Sequence, residues 1–170
     1  MTVSEGAFQR PGYEFCCYPV IPLVNIVYNL GIEFMAITGR ALVVDDIASN
    51  RMVAKAMLEK LGWSVLTATG GKEALDTLGT TPCDLVLLDI SMPSMSGMEV
   101  CQRIRSNPAF ADLPVIAYTA HAQPEDRRNF IASGFNEVLL KPVNRETMAS
   151  VVAAVTRHRG SAGDGQSAAC

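Results

Sequence analysis

The apolar run Leu85-Val86-Leu87-Leu88 is followed without a break by Asp89. Four apolar residues with no polar alternation leave no face for solvent. Such a run marks a strand covered on both sides, the central position of a parallel sheet. Parallel neighbours require crossover connections, and the alternation of strand and helix patterns from Arg40 onward supplies them, so the chain is expected to be a doubly wound α/β sheet. Asp89 then stands at the C-terminal end of a buried strand, the edge at which open α/β sheets carry their ligands. A carboxylate buried there without a partner would cost several kcal/mol, so partners must be sought elsewhere in the chain.

Other apolar runs end in the same way. Ala41-Leu42-Val43-Val44 ends in Asp45 and Asp46, Leu113 to Tyr118 ends in Thr119, and Val138-Leu139-Leu140 ends in Lys141. Trp63 to Ala68 is a further strand candidate, and the last strand is expected over Asn136 to Leu140. Helical spacing appears between them. Val53, Ala54, Met57, Leu58 and Leu61 are expected to form one buried face of a helix that Gly62 terminates. Lys72 to Leu78, Gly97 to Arg105 and a short polar stretch from Pro124 to Ser133 give three more helices. Met148, Val151, Val152 and Val155 form the apolar stripe of the last. Five strand–helix units wound with right-handed crossovers bring every C-terminal strand end to one edge. Asp45, Asp46, Asp89, Thr119 and Lys141 are therefore expected on the same side of the sheet.

Composition narrows the functional classes. A chain of 170 residues with 49% apolar and 18% charged residues suits one soluble domain with some excess. The net charge of −3 gives no basic face for nucleic acid. Cys16 and Cys17 are adjacent, while Cys83, Cys101 and Cys170 stand alone, so neither zinc spacing nor a disulfide framework is present. A reducing, cytoplasmic location is expected, with Cys83 and Cys101 packing as small hydrophobes. Phe15 to Ile32 carries no charge, yet Pro19, Pro22, Asn25, Asn29 and Gly31 interrupt it. Glu5, Arg10 and Glu14 precede it in place of a basic leader, so neither membrane contact nor a secretory signal is expected. Residues 1–39 are taken as an N-terminal extension that packs on the domain, mediates contact or is disordered, with Met35 as a second candidate start. Residues 158–170, small and polar, are expected to form a mobile tail.

The clustered side chains form a chemical kit. Three carboxylates within a few ångströms repel one another, and Mg²⁺ with its hard oxygen ligands relieves that repulsion. Lys141 offers a point charge and Thr119 a hydroxyl for phosphoryl oxygens. Phosphoryl transfer needs mainly positioning and charge neutralisation, with Asp89 as a nucleophile that becomes an aspartyl-phosphate.

Val43-Val44-Asp45-Asp46, Asn50-Arg51, Asp89 through Gly97, Tyr118-Thr119-Ala120-His121-Ala122 and Leu140-Lys141-Pro142 together resemble the receiver domain of two-component response regulators. The resemblance spans about residues 40–157, and the Asp-Asp-x-x-x-Asn-Arg opening is most similar to receivers attached to hybrid histidine kinases. It implies a flavodoxin-like, five-stranded parallel sheet of order 2-1-3-4-5 with helices on both faces. It implies Asp89 as phosphoacceptor and Asp46, Asp89 and the Ser91 main-chain carbonyl as Mg²⁺ ligands. Asp45 would act through water, Lys141 and Thr119 would hold the phosphoryl group, and the Lys141–Pro142 peptide would be cis. Ser91 and His121 take the positions from which the family tunes dephosphorylation, and His121 is expected here to alter access of water to the phosphorylated site. The chain departs from the family at Val138, where receivers usually carry an aromatic residue whose rotamer follows the threonine. Valine is stiff about χ1 and has no ring to swing. Tyr118, preceding Thr119, is expected to point to the opposite face and pack.

The implied partners are a histidine kinase or histidine phosphotransfer protein and a downstream protein target, with homodimerisation left open. Too few residues follow Lys141 for a DNA-binding unit, so a single-domain regulator acting by contact is expected. Two alternatives stand beside it. A Mg²⁺-dependent aspartyl-phosphate phosphohydrolase usually needs a second acid two residues after the nucleophile, where this chain has Ser91. A receiver-like module independent of phosphate is allowed by Val138.

Overall fold

The computed structural model describes residues 39–120 and 123–157. The chain divides into two units, residues 1–34 and 35–170, and all described residues lie in the second. The expectations for residues 1–38, for His121 and for the tail fall outside the described residues.

Strands and helices alternate throughout: β1 (Gly39–Val44), α1 (Ala48–Lys60), β2 (Trp63–Ala68), α2 (Gly71–Thr80), β3 (Leu85–Asp89), α3 (Gly97–Ser106), β4 (Val115–Thr119), α4 (Pro124–Ala132), β5 (Glu137–Leu140) and α5 (Arg145–Arg157). A single 3-10 turn, Pro108–Phe110, follows α3. All five strands pair in parallel in the order β2-β1-β3-β4-β5. This is the doubly wound, flavodoxin-like sheet that the sequence implies.

Side-chain parity builds the two faces, because successive residues of a strand point to opposite sides. Leu42, Val44, Val86, Leu88, Val115 and Ala117 pack with Ala74 and Leu78 of α2, Val100, Cys101 and Ile104 of α3, and Phe130 of α4. Ala41, Val43, Leu85, Leu87, Ile116, Tyr118 and Leu139 face the other way, against Ala54 and Leu58 of α1 and Met148 and Val152 of α5. Every residue of β3 is buried, as its uninterrupted apolar run requires.

Local departures from the expected boundaries have physical causes. β4 begins at Val115 and not at Leu113, because Pro114 has no N–H for the ladder. The Pro114 carbonyl instead accepts from Val86 N at 2.9 Å. β5 begins one residue after Asn136, whose Oδ1 accepts from Val115 N at 2.8 Å. Val53 is 48% exposed and lies off the buried line of Ala54 and Leu58, a one-residue step of about 100° around the helix. Gly62 does end α1, at φ 86°, a left-handed conformation that a Cβ would disfavour.

Arg105 holds the edge opposite to the strands' C-terminal ends. Its Nε donates to Gly134 O at 2.8 Å, Nη1 to Leu113 O at 2.8 Å and Nη2 to Asn136 Oδ1 at 2.8 Å. One guanidinium thereby fixes the entries to both β4 and β5.

Candidate functional site

Register fixes the level of each site residue. Val44 pairs with Leu88, so Asp45 and Asp89 leave neighbouring strands at the same height. Asp89 pairs with Tyr118, and Thr119 with Leu140, so Thr119 and Lys141 step in from the other side. The Lys141 N–H donates to Thr119 O at 2.8 Å, continuing the ladder one residue past β5.

The structure brings the carboxylates together. Asp45, Asp46 and Asp89 each offer an oxygen within 4.8 Å of the others. Asp45 is fully buried and Asp89 is 5% exposed, whereas Asp46 faces solvent. Lys141 Nζ sits between the two buried groups, 2.5 Å from Asp45 Oδ2 and 2.6 Å from Asp89 Oδ1. This answers the question posed by a carboxylate at the end of a buried strand. Burial by itself lowers the affinity of the lysine for its proton. The hydrogen bonds and charges of Asp45 and Asp89 together outweigh that, and its pKa is raised above the ordinary value. The ammonium is therefore charged throughout the neutral range.

The surrounding loops hold this geometry. Asp45 Oδ1 accepts from Ile47 N at 2.8 Å and from Asn50 Nδ2 at 3.3 Å, so both of its oxygens are engaged by protein. Arg51 Nη1 donates to the carbonyls of Asp45 at 2.6 Å and Asp46 at 3.0 Å, tying the β1–α1 turn. Asn50 and Arg51 were visible in the sequence as part of a motif, but their work as braces emerges only from the turn's geometry. Beyond Asp89 the chain runs through exposed Ser91 and buried Met92 to Ser94, which adopts φ 70°. Gly97 then returns against the strand end. A Cβ at Gly97 would lie 2.1 Å from Asp89 O, so glycine is required for the close approach. Ser96 caps α3 by accepting from Glu99 N at 3.3 Å, while the Glu99 carboxylate accepts from Ser96 N at 2.9 Å.

Thr119 is 4% exposed at the end of β4. Tyr118 points to the other face and packs in the α1/α5 core, as expected, yet it also touches the site. Its ring centroid lies 4.6 Å from Lys141 Nζ. Alternation along β4 could not reveal that contact, because it depends on how Lys141 folds back over the neighbouring strand. Val138 is half-buried against the α2/α3 side and lines an open groove of about 570 Å³ with Gln123, Arg127, Leu140 and Pro142. Arg127, in the polar helix α4, is largely exposed and pairs with Glu137 of β5 at 2.5 Å. The Lys141–Pro142 peptide is cis.

The donor set suits a hard divalent cation. Three carboxylates face one ammonium, which leaves excess negative charge, and all the donors are oxygens.

Comparison with known proteins agrees with this architecture. The family model for the response regulator receiver domain matches residues 41–153. The sensor histidine kinase GacS of Pseudomonas protegens is 37% identical over 116 residues, covering 66% of this chain. The chain spans only 13% of the length of that kinase. A 14.6 kDa protein of Leptolyngbya boryana is 44% identical over 103 residues, covering 61% of this chain and 79% of that protein. Among solved structures, the chemotaxis response regulator CheY4 of Vibrio cholerae superimposes with a TM-score of 0.65 at 31% identity, covering 68% of this chain and 97% of that one. The receiver domain of a Pseudomonas aeruginosa sensor histidine kinase, solved with magnesium coordinated in its active-site cleft, also gives 0.65, at 29% identity, covering 70% of this chain and 98% of that one.

Proposed function

The chain belongs to the response regulator receiver family, and from that premise we propose that Asp89 is its phosphoacceptor. The observation that carries the proposal is the Lys141 ammonium held 2.6 Å from Asp89 Oδ1 and 2.5 Å from Asp45 Oδ2. A carboxylate oxygen of Asp89 attacks the phosphorus of a phosphohistidine on a donor protein. The new O–P bond forms as the N–P bond breaks, the electron pair stays on the imidazole nitrogen, and that nitrogen takes up a proton. Lys141 and Thr119 then hold the phosphoryl oxygens, the first by charge and the second by its hydroxyl.

Asp46, Asp89 and the Ser91 main-chain carbonyl are the proposed Mg²⁺ ligands. Asp45 acts through water, which its two engaged oxygens support. Bound Mg²⁺ supplies neutralisation of the charge that gathers on the transferring group. The donor is a histidine kinase or a histidine phosphotransfer protein. Next to exposed Asp46, the apolar residues Ile47, Met52 and Val53 are 53%, 71% and 48% exposed, a surface suited to docking such a partner. Residues 40–157 act as the receiver unit and signal to a downstream protein by contact. A cytoplasmic location is in keeping with the free, buried thiols of Cys83 and Cys101. Among the described residues no helix is long and apolar enough to cross a membrane.

Incubation of the full chain with acetyl phosphate and Mg²⁺, followed by intact-mass measurement, tests the proposal. The expected result is a gain of one phosphoryl group, absent with chelator and absent in Asp89→Asn. Equal labelling of the variant would refute it.

A further inference from the structure

We propose that Tyr118 is a positioning residue for phosphoryl transfer, its ring face holding the Lys141 ammonium beside the two carboxylates. The inference rests on the assignment of Asp89 as phosphoacceptor and goes beyond it. The neighbours of the ammonium include Asp45 Oδ2 at 2.5 Å, Asp89 Oδ1 at 2.6 Å and the Tyr118 ring at 4.6 Å to its centroid. A lysine head on a four-carbon stem rotates freely, and two carboxylates alone would let it slide toward either one. An aromatic face attracts a cation through its quadrupole and does so more strongly where water is excluded.

Tyr118 is well placed to act as a fixed wall. It is 3% exposed and packs in the core with Leu139, Val143 and Met148, so its side chain is held by its surroundings and not by solvent. Its backbone pairs directly with Asp89, so ring and phosphoacceptor share one level of the sheet. Burial raises the phenol's pKa, an effect that the nearby Lys141 charge opposes and Asp45 and Asp89 reinforce. Across neutral pH the ring therefore stays neutral, and the contact is one of cation and π face, not of two ions. β4 thereby contributes to the site from both of its faces, with Thr119 on one and Tyr118 on the other. When a phosphoryl group joins Asp89, the charge that the ammonium must meet moves outward. The ring's attraction adds a third restraint on the ammonium as that charge moves.

The test uses the full chain, beryllofluoride as a probe of the phosphoryl position, and Mg²⁺ alone as a probe of the acidic cluster. Tyr118→Phe keeps the ring and is expected to bind beryllofluoride within about twofold of wild type. Tyr118→Leu keeps apolar bulk without the π face and is expected to weaken beryllofluoride binding about tenfold, with Mg²⁺ affinity unchanged. Wild-type affinity in the Leu variant would overturn the proposal. So would equal losses in the Phe and Leu variants, or a parallel fall in Mg²⁺ affinity, since a purely structural defect moves both probes. Should Tyr118→Leu not fold, Tyr118→Phe with a fluorinated ring keeps the shape while withdrawing charge from the face, and the same loss is expected. Failure of the wild type itself to bind beryllofluoride would refute the assignment of Asp89 along with this inference. Failure confined to the variants would refute the role of Tyr118 alone.

Discussion

Two partly buried cations stand at opposite edges of the same sheet, and their surroundings differ in kind. Arg105, at the entries to β4 and β5, donates to backbone carbonyls and to the Asn136 side chain, all neutral acceptors supplied by folding itself. Lys141, at the exits, is held by two carboxylates beside a third. The first arrangement gives each guanidinium nitrogen a neutral acceptor and crowds no like charges together. The second assembles like charges that one ammonium cannot fully compensate, a liability that makes sense where a metal and a phosphoryl group are to be received. One edge satisfies itself with neutral groups, and the other gathers the charges that the proposed metal and phosphoryl group would meet.

The largest effect is expected from removing the neutral-edge clamp. Arg105→Met leaves several carbonyls without donors and should lower unfolding free energy by about 3 kcal/mol in urea titration. Phosphoryl uptake by the folded fraction should be unchanged. A loss of stability together with selective loss of uptake would erase the distinction between the edges. Gly97→Ala should cost about 2 kcal/mol through the clash with Asp89 O, and should also slow phosphorylation, because relief requires moving that strand end. Normal labelling rates in that variant would mean that the loop, and not the strand, gives way.

The comparison also fixes a sign. Asp89→Asn removes one of the crowded charges and should raise stability by about 1 kcal/mol in the presence of chelator. Mg²⁺ should raise the Tm of the wild type more than that of the variant, since it relieves the same repulsion. A destabilised variant would show that the acidic edge contributes to the fold as Arg105 does. The smallest effect concerns pH. The folded-state pKa of Lys141 is raised above its ordinary 10.5. Its contribution is therefore fully present below the unfolded value and is lost as pH rises through the folded one. Stability measured between neutral pH and the onset of lysine titration should show no step that Lys141→Met abolishes, and the difference between the two proteins should shrink only at strongly alkaline pH.

Much of the acidic edge is legible in the amino-acid sequence. Uninterrupted apolar runs ending in Asp45, Asp89, Thr119 and Lys141 are a local signal, and the handedness of crossovers converts it into a shared edge. The register that aligns Asp45 with Asp89 comes from the structure, because β3 is apolar on both faces and its pattern does not select one pairing. The clamp at the other edge was not legible. Arg105 reads as an ordinary helix residue, and its partners lie as many as 31 positions away in sequence. Asn136 replaces the first ladder bond of β5 with a side chain, which no alternation pattern encodes. The Tyr118–Lys141 contact was hidden for a similar reason. Strand alternation gives the direction of the ring, but only the fold-back of Lys141 over β4 brings a cation to it. Val53 is 48% exposed: helical spacing locates a buried stripe but not its width.

The central claim is that the crowded carboxylate at the end of β3, and not either of its acidic neighbours, takes up the phosphoryl group. Borohydride reduction after reaction with acetyl phosphate and Mg²⁺ converts an aspartyl-phosphate to homoserine and marks the position for peptide mass mapping. Homoserine at position 89 alone is the expected result. Conversion at Asp45 or Asp46, or no conversion in a chain that binds Mg²⁺, would contradict it.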